Sequence, residues 1–487
     1  MRQSWRVYLV IIGAAVCWLT VAFVVVPRLG DTLSFNKVSN TPPPGGAEAG
    51  RASDQVPARD FRGNVYHIVF DAYQSEAYQY FLDKTPELKQ LPITYYPKFQ
   101  ANSWLTYWSM ATLFSGNLYK PGMSPEEWRN TAFQRRGMME YLGKNGVGIH
   151  VYTNFPEHCY AGAVDCHLVD DLKKEILGES QVVRMVLDMW FLKLIPTSLK
   201  RELNARFAPP GITDGDDGDG GSFSGWDYGF SISNAIAPKN VPEGGPYFAL
   251  EQFKRLLDSE DARPATGQYV FAHVLLPHYP FELDGDCNYV GRKPDQAAQE
   301  NYLEHVQCAN KLMGLLVQKL ASLGRLDNSL IVFQGDHGRY WYPADMGVLY
   351  QYHPLNVSIP RINAQEGDSS TWPSELIETR ASALLLVKYP GQSVAARSDK
   401  LVEMIDVAPT ILRYFDIHPD SMGGIPIQDM PEALTRERFF LASNFIPNRR
   451  NPRVFSKYQY VDGRWKFEGN IDTVSPPASL FTLGADR

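Results

Sequence analysis

Two kinds of apolar pattern alternate along this chain. One is short, dense and rich in β-branched residues. Residues 64–70, 148–153, 268–275, 331–334 and 383–387 are near-continuous hydrophobic runs of strand length. Such runs, lacking polar alternation, predict strands buried on both faces. The other pattern has helical spacing. Tyr107, Met110, Ala111 and Phe114 recur at helical intervals after Asn102 and Ser103, two good cap residues, and Gly116 ends the run. Residues 247–257 and 300–323 read as helices, 139–143 as the end of another, and 404–415 as a capped helix with an early proline. Strands alternating with helices predict an α/β fold with a mostly parallel central sheet. Residues 454–467 predict a hairpin around Asp462-Gly463, a small antiparallel appendage.

The N-terminal pattern differs. Arg2 and Arg6 precede an apolar run over residues 7–26, close to the roughly 20 residues that span a bilayer. A cleaved signal is the alternative, but Val24-Val25-Val26 lacks its small-residue exit. The expectation is one transmembrane anchor with the cationic tip in the cytoplasm. Residues 30–62 are rich in Pro, Gly, Ala and Ser and read as a linker. The expected organisation is a tip and anchor over 1–29, a linker over 30–62, a catalytic domain over 63–420, and a hairpin subdomain with tail over 421–487.

The net charge of −7 argues against broad nucleic-acid binding, which needs basic surface. Four of the five cysteines lie beyond the apolar run in two nearby pairs, Cys159 with Cys166 and Cys287 with Cys308. Two local disulfides in an oxidising compartment fit this spacing. Free buried thiols are one alternative, and a zinc knuckle of Cys159 and Cys166 with His158 and His167 is another. The Gly/Asp-rich residues 213–225 lack the EF-hand spacing and read as a solvated loop.

Three of the strands run into residues that carry chemistry. The first is closed by Asp71. The third leads into Leu276-Pro277-His278-Tyr279-Pro280. The fourth stops at Gly335-Asp336-His337-Gly338. Loops leaving the carboxyl ends of strands hold ligands in α/β sheets. Two carboxylates and an imidazole suit a divalent ion. Thr106, near a helix start, would add a hydroxyl that such an ion makes nucleophilic. The helix N-terminus favours a phosphate at the same place. His67, in mid-strand, reads as a satisfied core histidine.

Taken in order, Asp71, the 102–116 segment, Pro277-His278-Tyr279-Pro280, Gly335-Asp336-His337-Gly338 and residues 404–412 resemble the alkaline phosphatase superfamily. The likeness is to its sulfatase-like branch, which includes membrane-anchored lipoteichoic acid synthases and phosphoethanolamine transferases. It spans roughly residues 64–415. It implies an alkaline phosphatase-like sandwich and one divalent metal ion (manganese, zinc or magnesium) on Asp71, Thr106, Asp336 and His337. Thr106 would be the catalytic nucleophile. His278 would contact substrate or protonate the leaving group. Arg339 and His353 are further substrate-binding candidates, as is Asn102, although capping alone accounts for it.

This chain departs from true sulfatases. Their formylglycine comes from a Cys or Ser followed by x-Pro-Ser-Arg, whereas here Thr106-Tyr107-Trp108-Ser109-Met110 stands in its place. Threonine cannot give that aldehyde. A second-metal ligand set is not evident either. The expected function is a membrane-anchored phosphotransferase on the outer face of a bacterial inner membrane, with its domain in the periplasm. It would move a substituted phosphate from a phospholipid-type donor, through Thr106, to a glycan or lipid acceptor. A hydrolase of the same fold and an inactive envelope scaffold are the alternatives.

Overall fold

The computed structural model describes residues 61–177, 245–293, 298–339, 369–372, 374–443 and 454–473. The residue 7–26 run, most of the linker, the Gly/Asp-rich loop and His353 lie outside them. Among the described residues no helix is long and apolar enough to cross a membrane.

The main sheet has eight strands: β1 Val65–Phe70, β2 Thr94–Tyr95, β3 Gly148–Thr153, β4 Asp165–Leu168, β5 Gln268–Val274, β6 Leu330–Gly335, β7 Leu385–Lys388 and β8 Ala396–Arg397. Their order is β4-β3-β5-β1-β6-β7-β2-β8. The five strands from β4 to β6 are mutually parallel. β7 runs antiparallel to both β6 and β2. The mostly parallel α/β expectation is met. β2, β4 and β8 have two to four residues each and carry no apolar run of their own, so no sequence pattern marked them.

Burial on both faces follows from the dense apolar runs. In β1, Val65 and Val69 join one core layer, while Tyr66, Ile68 and Phe70 join the other. Successive side chains point to opposite faces, so one six-residue run feeds two cores. His67 sits on the first face and is fully buried. The Tyr269 hydroxyl stands 2.8 Å from its Nδ1, and its Nε2 lies 3.1 Å from Gln334 Oε1. It is a satisfied core histidine, as its mid-strand position suggested.

Helices cover both faces. They are α1 Ser75–Lys84, α2 Pro86–Gln90, α3 Thr106–Ser115, α4 Pro125–Gln134, α5 Met138–Lys144, α6 Val169–Leu177, α7 Gly245–Ser259, α8 Ala298–Ser322, α9 Ser374–Ala381 and α10 Val407–Tyr414. Residues of α3, α4, α5 and α10 fill the first core layer, and those of α1, α7 and α8 the second. From Trp108 to Ser115, α3 is buried on all sides, with Ser109, Thr112 and Ser115 among its apolar residues. The 404–415 segment divides into a 3-10 turn, Met404–Asp406, and α10. The Glu403 and Asp406 side chains cap that turn reciprocally.

A second sheet is antiparallel, in the order β11-β10-β9, with β9 Phe439–Ser443, β10 Val454–Val461 and β11 Arg464–Asp472. The expected hairpin is β10–β11, turning at Asp462 and Gly463, both at positive φ. β9 is a third strand that sequence reasoning missed. Trp104, Trp372, Phe440, Tyr458 and Trp465 form a cluster that ties this sheet to the entry of α3.

Both expected disulfides are formed, Cys159–Cys166 and Cys287–Cys308. Their formation removes the thiolates that a zinc knuckle would require.

Candidate metal centre and active site

Strand register decides which residues meet. Phe70 of β1 pairs with Val274 of β5 on one side and Gly335 of β6 on the other. The residues that follow therefore leave the sheet side by side at its carboxyl edge. Asp71 and Asp336-His337 emerge there, close enough for one ligand atom from each to lie within 4.8 Å of the others. All three are buried, at 2%, 0% and 5% exposure.

The glycines of Gly335-Asp336-His337-Gly338 are there because backbone passes close by. A Cβ on Gly335 would overlap the Tyr73 carbonyl, and one on Gly338 would overlap the carbonyls of Thr379 and Ser382. The Gly338 amide donates to the Arg380 carbonyl at 2.8 Å, and the Gly335 amide donates to Leu384 at 2.9 Å. The loop is thus clamped between the β1 exit and the α9–β7 connection. Ala72, next to Asp71, takes a left-handed φ of 60°. Backbone strain of this kind gathers at functional sites.

Polar bookkeeping separates atoms already in use from atoms on offer. Asp336 Oδ1 accepts from the Ala72 and His337 amides, both at 2.8 Å. His337 Nδ1–H donates to the Gly338 carbonyl at 2.9 Å, which leaves an acceptor lone pair on Nε2. That Nε2 lies 3.8 Å from Asp71 Oδ1, 3.5 Å from Asp336 Oδ2 and 3.5 Å from Thr106 Oγ1. Asp71 Oδ1 and Asp336 Oδ2 are buried with no hydrogen-bond partner. Two buried, unsatisfied carboxylate oxygens with an imidazole lone pair and a hydroxyl converging on them would be costly for a structural core. A divalent cation supplies what they lack, so the residues present fit a metal.

The electrostatics agree. Burial, then the neighbouring Asp336 carboxylate, pushes Asp71 well above the usual carboxylate range. Arg339, the Thr106 hydroxyl and Arg380 pull it back. For Asp336 burial acts in the same raising sense, but His337, His273 and the Ala72 amide outweigh it and hold the group low. Two adjacent buried acids cannot both ionise freely without a cation between them.

Thr106 is the first residue of α3. Leu105 stands at the N-cap with extended backbone and no side-chain cap. The expected cap by Asn102 or Ser103 is not made. Ser103 Oγ donates to the Leu441 carbonyl at 3.1 Å. Asn102 Nδ2 donates to Glu403 Oε1 at 2.9 Å and to the Phe439 carbonyl at 3.0 Å. Both amide protons of Asn102 are therefore committed, and the reading of Asn102 as a phosphate donor is corrected. It ties the approach to α3 onto β9 and the Glu403 turn. One turn into α3, Ser109 Oγ donates to the Asp336 carbonyl and holds the helix start against the metal loop.

His278 is half-buried, between cis peptide bonds at Leu276-Pro277 and Tyr279-Pro280. Its Nδ1–H donates to the Tyr279 carbonyl, which leaves Nε2 as an acceptor. Burial, then the positive charge of Arg339, holds it down to about 3 and hence neutral. His305, a buried α8 residue, accepts the Glu282 and Leu283 amides at 3.2 and 3.1 Å and stands 3.3 Å from the His278 carbonyl, bracing this turn. The Arg339 guanidinium packs 5.0 Å from the Phe281 ring and 5.3 Å from that of Tyr302, beside the site.

Two residues near the centre escaped sequence reasoning. Arg380, in α9, donates to the Gly338 carbonyl at 3.4 Å, packs over Trp104 and bears electrostatically on Asp71 and His337. A helix arginine with no local motif reads as surface. His273, the penultimate residue of β5, is 1% exposed. Its position inside a buried strand resembles that of His67, a core residue. One signal could have found it. Counted from Asp71 and Asp336, it belongs to the same sheet edge.

A family model described as Sulfatase matches residues 63–417. No curated protein matches the chain. Among solved structures, phosphonate monoester hydrolase SpPMH from Silicibacter pomeroyi aligns at 12% identity, with 82% of this chain and 85% of that chain covered and a TM-score of 0.48. Lipoteichoic acid synthase LtaP from Listeria monocytogenes aligns at 16% identity, covering 84% of each, with a TM-score of 0.44. The C-terminal periplasmic domain of EcEptC from Escherichia coli aligns at 9% identity, covering 80% of this chain and 92% of that one, with a TM-score of 0.44.

Proposed function

This chain belongs to the sulfatase family of the alkaline phosphatase superfamily, and from that premise we propose that it is a metal-dependent phosphotransferase with Thr106 as nucleophile. One observation carries the reading. The residue at the head of α3, 3.5 Å from His337 Nε2 and beside two unpartnered carboxylate oxygens, is a threonine. A threonine hydroxyl can be phosphorylated but cannot become formylglycine, so sulfate hydrolysis by that route is set aside.

Asp71, Thr106, Asp336 and His337 would hold the metal. When bound, it would lower the hydroxyl pKa and offset phosphoryl charge. The remaining work falls to the chain. The Thr106 oxygen forms a bond to phosphorus as the bond to the donor's alcohol oxygen breaks. The Thr106 proton is lost and the departing alkoxide gains one, so protons balance. The head of α3 and the guanidinium of Arg339 favour the phosphate oxygens. In the second half, an acceptor hydroxyl attacks the phosphothreonine, and the P–O bond to Thr106 breaks. His278 Nε2, left as an acceptor, would take a hydrogen bond from the attacking hydroxyl and orient it, and the proton that hydroxyl loses replaces the one Thr106 gave up. Water in place of the acceptor would make the same site a hydrolase.

We place the enzyme on the outer face of a bacterial inner membrane, held by the residue 7–26 run. Its donor would be a phospholipid carrying phosphoglycerol or phosphoethanolamine, and its acceptor a glycan or lipid. Two disulfides fit an oxidising compartment. The test is the mass of the Thr106 peptide after manganese-loaded protein meets a membrane phospholipid extract. A phosphoglycerol or phosphoethanolamine adduct on Thr106 is expected, and it should disappear in Thr106→Ala. Bound metal with unmodified Thr106 and free released headgroup would overturn transfer in favour of hydrolysis.

A further inference from the structure

The side chain that the proposed reaction leaves unused is His273. It is buried at the carboxyl end of β5, and its Nε2 has no hydrogen-bond partner. That nitrogen lies 3.9 Å from Asp71 Oδ2. The other oxygen of the same carboxylate, Oδ1, faces His337 Nε2 at 3.8 Å. The two oxygens of Asp71 are therefore divided between two imidazoles on neighbouring strands.

The third neighbour is Asn154, just beyond β3, whose side-chain Oδ1 lies 3.2 Å from His273 Nδ1. Three adjacent parallel strands, β3, β5 and β1, thus deliver Asn154, His273 and Asp71 in a row. Aromatic walls fix the His273 ring. Phe155 and His158 stand 5.1 and 5.5 Å from it, and Thr153 Oγ1 in turn lies 3.0 Å from His158 Nδ1. A ring held this firmly has little freedom to find another partner.

Metal-binding groups are held by outer hydrogen bonds that set which atom faces the ion. We propose that His273 is a positioning residue for Asp71: its Nε2–H faces Asp71 Oδ2 across 3.9 Å, closes on that oxygen when the metal is bound, and so presents Oδ1 to the metal. This rests on the metal-dependent reading above. With its amide turned end for end from the orientation that sets Oδ1 against Nδ1, Asn154 donates to Nδ1 from its amide nitrogen and keeps the His273 proton on Nε2. Either end of that amide fits the same space. His273 is not among the residues whose ligand atoms converge within 4.8 Å, which makes it a support and not a ligand.

The experiment is a manganese titration of the metal-free full chain, read by electron paramagnetic resonance, on wild type, His273→Gln, His273→Asn and Asp336→Ala. Glutamine places its amide nitrogen near the position of Nε2, and asparagine near that of Nδ1. His273→Gln should bind within about threefold of wild type, while His273→Asn should lose about 10–100-fold. Equal losses in both variants would make His273 a packing residue, and no loss in either would leave it without a role; each result overturns the proposal. Failure of wild type itself to bind, or unchanged binding in Asp336→Ala, would instead overturn the metal reading. A second measurement avoids substitution. In zinc-loaded wild type, the nitrogen resonances of His273 should show a protonated Nε2 and a bare Nδ1. A bare or metal-bound Nε2 would overturn the positioning role.

Discussion

At the residue scale, the metal loop works because two of its residues have no side chain. Gly338 takes no unusual φ, so its requirement is space alone: a Cβ would meet the Thr379 and Ser382 carbonyls. Backbone cannot yield as a flexible side chain can. Gly338→Ala should therefore displace Asp336 and His337 from Thr106. We expect a stability loss of about 1–3 kcal/mol by chemical denaturation. Manganese affinity should fall at least tenfold in the fraction that remains folded. Unchanged affinity would show that the loop tolerates movement. Asp71, Asp336 and His337 are individually ordinary residues. Their buried, unpartnered atoms gathered at one sheet edge are what make them a candidate centre.

At the scale of elements, α3 must be held in register with the sheet edge. One buried ionic network does much of this. Arg436 pairs with both Glu403 and Asp406, and Glu403 accepts from Asn102 on the approach to α3. Burial, then residual repulsion from Asp406, leaves Glu403 raised to about 6 even with Arg436 beside it. Removing the guanidinium would strand two carboxylates. Arg436→Met should cost about 3–5 kcal/mol in urea unfolding, the usual penalty for breaking a buried pair. Arg436→Lys should recover part of it. A loss below about 1 kcal/mol for the methionine variant would mean that water reaches the network.

At the scale of the molecule, buried neutral histidines make the fold sensitive to acid. Burial depresses His67 to about 4, whereas an unfolded histidine titrates near 6.5. Between those values the unfolded chain binds the extra proton. Stability from His67 is thus fully present above pH 6.5 and is lost as pH falls toward 4. The shift corresponds to on the order of 3 kcal/mol. His67→Gln should flatten the stability profile across pH 4–6.5 by about that amount, measured by urea unfolding at several pH values. A parallel profile would refute the assignment. Metal acts on the whole molecule too. Manganese at about a hundredfold over its Kd should raise the unfolding free energy by about 2.7 kcal/mol, and Asp336→Asn should abolish the gain in calorimetry.

Dense apolar runs were enough to place β1, β3, β5 and β6 and to predict a mostly parallel sheet, because strands buried on both faces tolerate few polar residues. The same runs end where the chemistry begins, so Asp71, Asp336 and His337 could be read directly. Asp71, the 102–116 segment, Pro277-His278-Tyr279-Pro280, the Gly335-Asp336-His337-Gly338 turn and residues 404–412, taken in order, carried the family resemblance. Other features depend on contacts across hundreds of residues. His67 and His273 both lie inside buried strands. Only the packing shows that one is satisfied by Tyr269 and Gln334 while the other faces Asp71. Asn102 looked like a helix cap or a phosphate donor until Glu403 and Phe439, some 300 residues away, claimed its amide. Arg380 reaches the site only because α9 packs against Gly338. Local pattern determines burial and strand ends, since both depend on neighbours in sequence. Partnership among polar atoms is decided by tertiary structure, since it depends on neighbours in space.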